Sequence, residues 1–113
     1  MDPFEERLRH KSELQQERLQ LVYNELALAS TFLDVAKTTR QSETRERNIK
    51  NARTACEAVC DILAAKFDCT PKQRADIEHG LAKLIARLKT ETRLSARERS
   101  AKGGNTSVST ADR

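Results

Sequence analysis

Cys56, Cys60, Cys69 and His79 are the residues of this 113-residue chain whose types could bind a soft metal or carry redox chemistry. A structural zinc site uses close C-x2-C pairs and four converging ligands. Here Cys56 and Cys60 stand four apart in "TACEAVCDILAAKF", at helical spacing, with Cys69 beyond the segment's end and His79 ten residues further on. Cys56 also falls on the apolar stripe Ile49, Ala52, Cys56, Val59, Leu63, Phe67. Free cysteine behaves as a small hydrophobe, so the spacing predicts core packing and no metal. A Cys56–Cys60 disulfide is disfavoured, because side chains at i and i+4 of a helix run parallel. Cys69 is the thiol expected to be exposed, and it has no neighbouring histidine to activate it.

Catalytic patterns are missing. His10 and His79 are far apart and have no nucleophile partner, and no G-x-S-x-G, P-loop, H-E-x-x-H or G-x-G-x-x-G occurs. A di-iron bundle needs Glu-x-x-His, which is also absent. The expectation is a non-enzyme with no catalytic residue and no cofactor.

Two arginine-rich stretches, "RQSETRERNIKNAR" and "RLSARERSAK", supply the candidate nucleic-acid contacts Arg45, Arg47, Arg93, Arg97, Arg99 and Lys102. Glu43 and Glu46 interleave the first stretch and no aromatic residue stands ready to stack on a base. A solvated face with local ion pairs is the expected reading.

The elements that position these residues are helices. Ala, Leu, Glu, Arg, Lys and Gln dominate, aromatic content is 4%, and the chain holds 3 Gly and 2 Pro. Helix one is predicted over 3–37. Asp2 caps it, Pro3 takes the first position, and Leu19, Val22, Leu26, Ala29, Leu33 and Ala36 form one stripe. Leu21, Leu28, Phe32 and Val35 widen that stripe, as for a helix facing two neighbours. Helix two is predicted over 43–67 with Ser42 as its cap. Helix three is predicted over 71–93 or slightly longer, opened by a Thr70–Gln73 capping box with Pro71 first. Its face is Ala75, Ile77, Leu81, Leu84, Ile85 and Leu88. Gly103 and Gly104 are expected to stop it, leaving a disordered tail over 101–113.

Short connections make antiparallel neighbours, so the expected fold is all-α, an up-down-up three-helix bundle with a long first helix and a disordered C-terminal tail. At 1.5 Å per residue, helix one is about 50 Å long and helix two about 37 Å. Helix two then reaches back only to about residue 13, and Phe4 and Leu8 overhang. They are the candidate partner-binding residues. In this arrangement the two basic stretches share one end.

The charge balance is +4, and residues 89–113 carry six basic and three acidic side chains, so the folded part is close to neutral. No apolar run approaches the roughly 18 residues of a membrane span. "MDPFEERLRHK" has no apolar core of a signal peptide, and three cysteines do not make a disulfide framework. A soluble, cytoplasmic protein without membrane contact is expected.

The stretch "LALASTFLDVAKTTRQSETRERNIKNARTACEAVCDILAAKFDCTP" resembles a helical hairpin of the tetratricopeptide-like kind, and three-helix bundles of the microtubule-interacting-and-trafficking type. Ala29, Ala36, Ala52 and Ala55 recur at the helix contacts and Pro71 follows the second helix, over about 46 residues, although no second copy follows at the 34-residue period. The resemblance implies a protein-binding surface. Together with the overhang, it makes a non-catalytic interaction or self-association module the expected function, with another protein or a second copy as partner. Nucleic-acid binding is the alternative, and a cysteine-based metal or redox role stands third.

Overall fold

The computed structural model describes residues 2–65 and 67–111, and of these the side chains up to residue 100. Three helices follow in order: α1 (Pro3–Thr38), α2 (Ser42–Ala64) and α3 (Pro71–Ala111).

Each helix starts for a local reason. At α1 the Asp2 carboxylate accepts from the Phe4 backbone N–H at 3.2 Å, Pro3 opens the helix, and Glu5 and Glu6 face the positive end of the dipole. At α3 the capping box closes in both directions. Gln73 N–H donates to Thr70 Oγ1 at 3.1 Å, and Thr70 N–H donates to Gln73 Oε1 at 2.9 Å. At α2 the expectation is corrected. Ser42 is the first helical residue, Gln41 is the cap, and the Gln41 side chain makes no capping bond.

The end of α2 is also corrected. The chain leaves the helix at Ala64, and Ala65 is already extended (ψ 171°), so Phe67 belongs to the turn. Phe67 is still buried. The apolar period runs on past the helix because the turn folds Phe67 back onto the same core, and the extended chain then delivers Thr70 as the cap of α3.

At its far end α3 runs well past the expected 71–93 or slightly longer. Its backbone is helical to Ala111, and Gly103 and Gly104 do not end it. Glycine costs about 1 kcal/mol per residue in a helix, which weakens a helix without forbidding it. The side chains of the expected tail, 101–113, lie outside the described residues.

Cross-helix pairs establish the direction of each element. Leu26 meets α3 at Gly80, and Asp34 meets it at Arg87, so α1 and α3 run the same way. Arg53 pairs with Thr92 while Glu46 pairs with Arg99, so α2 runs against α3. The up-down-up bundle follows, and α1 and α2 make the most extensive contact within it.

One core joins the three helices: Val22, Ala29, Leu33 and Ala36 from α1, Ile49, Ala52, Ala55, Cys56 and Val59 from α2, and Ile77, Leu81, Leu84 and Leu88 from α3, closed by Phe67. Alanines at four of these positions let the backbones approach closely. The α3 stripe then continues in steps of four and three through two polar residues, Glu91 and Ser95, both buried. Ala75, expected on that face, is exposed instead.

The ends are staggered. Gln15 Nε2 donates to Asp68 Oδ2 at 2.8 Å, fixing the α2–α3 turn beside residue 15 of α1. The first turns of α1, with Phe4 and Leu8, therefore extend past that turn, and Lys11 and Leu14 already border a hollow with Phe67 and Asp68. At the opposite end α3 runs on beyond the start of α2. The molecule measures 81 × 22 × 22 Å.

Candidate interaction surface

α1 carries an unusual outward face. Among the described residues the exposed large hydrophobics are Phe4, Leu8, Leu14, Leu21, Tyr23, Leu28, Val35 and Leu94, and all but Leu94 lie on α1. Scattered exposed apolar residues are ordinary, so what matters is which of these share a side of the helix.

Six of the seven fall into two groups, and Tyr23, two residues after Leu21, stands about 160° around the helix from that leucine. Phe4 (64% exposed) and Leu8 (53% exposed) are on the overhang. They continue the direction of the core stripe past the point where α2 and α3 stop accompanying α1. Leu14, Leu21, Leu28 and Val35 form a second row, exposed between 38% and 47%, at strict seven-residue spacing. Leu21 adjoins buried Val22 in sequence, so this row lies about 100° around the helix from the Val22–Ala29–Ala36 column. The residues expected to widen the core stripe thus leave the core. Only Phe32 of that set is packed against it.

Beside this row the surface is grooved. Arg18, Leu21, Ile62, Ala65 and Phe67 line a hollow of about 230 Å³ between α1 and the end of α2. A neighbouring hollow of about 290 Å³ is lined by Lys11, Leu14, Gln15, Arg18, Phe67 and Asp68. Both are open, and their walls are the exposed leucines together with Phe67.

The basic end is organised differently. Arg45 is the fourth residue of α2, and its side chain is only 14% exposed. Its Nη2 donates to Thr39 O at 2.9 Å and its Nε to Ala36 O at 3.3 Å, and it is ion-paired with Glu98. One guanidinium thus caps the carbonyl end of α1 and ties α2 to α3. Arg99 Nε pairs with Glu46 at 3.0 Å. Arg47, Arg93 and Arg97 are exposed and have no ion-pair partner among the described residues. The Lys102 side chain lies outside the described residues. The two basic stretches do share one end, and two of the six candidate contacts are engaged in ion pairs between helices.

The cysteines separate rather than converge. Cys56 is buried, Cys60 exposed and Cys69 half-buried, and all three are free thiols. Among the described residues no three His, Cys, Asp or Glu side chains are placed to hold a metal ion. Burial pushes the Cys56 thiol above its ordinary value of 9.0, with smaller contributions from Cys60 and Glu57. A raised value keeps the thiol protonated and unreactive. His10 and His79 are both exposed.

Comparison with known protein families, curated proteins and solved structures finds no match to this chain. Among the described residues no helix is long and apolar enough to cross a membrane.

The row at Leu14, Leu21, Leu28 and Val35 escapes a reading of the sequence for sites, although its seven-residue period is plain there. The buried column Val22–Ala29–Ala36 has the same period. Two columns one residue apart look like a single broad stripe until the positions of α2 and α3 show which column they cover.

Proposed function

We propose that this protein is a non-catalytic helical interaction module that presents α1 to another protein chain. One observation carries the reading: seven of the eight exposed large hydrophobics among the described residues lie on one helix. Burying a fully exposed leucine or phenylalanine side chain contributes about 1.5–3 kcal/mol and covering these half-exposed ones about half as much each, so a helix laid along the Leu14–Leu21–Leu28–Val35 row draws its affinity from that row. The three free thiols suit a reducing compartment, and we assign the protein to the cytoplasm on that ground.

The alternative, nucleic acid bound at the Arg-rich end, has less support. Arg45 and Arg99 already have carboxylate partners, and no aromatic side chain lies among the candidate contacts.

The test is capture of partner proteins by the full chain, compared with a variant carrying Leu21→Asp and Leu28→Asp. Both side chains are exposed, so the variant keeps its helicity by circular dichroism. Partners held by the first bait and lost from the second support the reading. Identical partner sets on both baits overturn it.

A further inference from the structure

We propose that the seam Leu14–Leu21–Leu28 is where a second copy of this chain packs, its α1 antiparallel to the first and Leu21 opposite Leu21. This rests on the interaction reading above and names its partner. A strict seven-residue period keeps an apolar row aligned along a partner helix, because two helices supercoiling about each other repeat every 3.5 residues per turn. With Leu21 opposite Leu21 the paired apolar stretch runs over residues 14–28, about 21 Å of helix, and Val35 lies beyond it.

The charges beside the seam fit a second copy of the chain. Arg18 follows Leu14 by four residues and Glu25 follows Leu21 by four, so both stand on one edge. Glu17 and Asn24 stand on the other edge, three residues after the same two leucines. In an antiparallel pair centred on Leu21, Leu14 meets Leu28 of the other copy and Arg18 meets Glu25, twice by symmetry. On the opposite edge Glu17 meets Asn24, which can donate to it. A parallel pair in register would turn the Glu17 edge of one copy to the Arg18 edge of the other and leave Glu25 against Asn24, so an Arg18–Glu25 pair belongs to the antiparallel arrangement alone. The seam is therefore complementary to itself across a two-fold axis, and exchanging the charges of Arg18 and Glu25 distinguishes the antiparallel pair from the parallel one. Arg18 and Glu25 have no ion-pair partner among the described residues of their own chain. Ile62 and Ala65 of α2 border the same groove beside Leu21 and are covered with it.

The experiment is sedimentation velocity on the full chain up to about 100 µM, a range that detects micromolar association. The expected result is a reversible dimer. Leu21→Asp should raise its dissociation constant at least about tenfold. Arg18→Glu and Glu25→Arg should each weaken it by about tenfold, since each places two like-charged pairs at the contact. The double variant R18E/E25R should restore it. Circular dichroism confirms that each variant keeps its helices. A dimer indifferent to Leu21→Asp, or charge reversals that the double variant does not rescue, overturns the proposed contact. A chain that stays monomeric throughout also overturns it. The broader interaction reading then stands or falls separately, on the captured partners.

Discussion

The arginines at the two turns repeat one device. Arg45 is the fourth residue of α2 and Arg74 the fourth of α3, and each reaches back to carbonyls at the end of the preceding helix: Arg45 to Ala36 and Thr39, Arg74 to Leu63 at 3.4 Å. The last carbonyls of a helix have no partner within it, so a guanidinium there satisfies an acceptor and opposes the dipole's negative end. Cys56 shows what the same bundle does to a group that gains no such partner. Its folded-state thiol titrates above 9.0, first because of burial, then because of Cys60 and Glu57. Between the unfolded and folded values the native state holds more protons, so stability is intact at neutral pH and falls as pH rises above about 9. Urea unfolding from pH 7 to pH 10.5 should show this loss for the native chain and a smaller one for Cys56→Ala, which removes the titrating group. Equal losses would place the alkaline sensitivity elsewhere.

At the scale of elements, α3 carries an improvable position. Gly80 sits inside the helix, where glycine costs about 0.5–1 kcal/mol relative to alanine. A Cβ added there would lie 3.9 Å from Leu26 Cδ1, an ordinary van der Waals contact. Gly80→Ala should therefore stabilise the bundle by about 0.5–1 kcal/mol in urea melts, and destabilisation would mean that α1 and α3 approach more closely than described. The helices themselves were largely legible in the chain, because their signals are local: Asp2–Pro3, the Thr70–Gln73 box and the three- and four-residue apolar steps. What was not legible depended on distant residues. Phe67 keeps the period of α2 yet belongs to the turn, since a buried side chain serves one core from either backbone. Glu91 and Ser95 are polar and still occupy buried positions of the α3 stripe. Leu21 and Leu28 look like core residues in sequence, and only the placement of α2 and α3 leaves them outside.

For the whole molecule, three helices of unequal length give a slender rod with one helix unaccompanied at each end. A compact chain of this length would have a radius of gyration near 13 Å, whereas this one has 20.3 Å. Small-angle scattering at low concentration should return a value near the larger figure, with a distance distribution reaching about 80 Å for the 81 Å long axis; a value near the smaller one would mean that α3 folds back on the bundle. The stagger, inferred from residue lengths and then fixed by Gln15–Asp68 and Arg45–Glu98, also governs how the protein moves through a solvent. A body nearly four times longer than wide experiences more drag than a sphere of its 12.8 kDa mass. Even a single copy will leave a gel-filtration column early, at the volume of a considerably heavier globule.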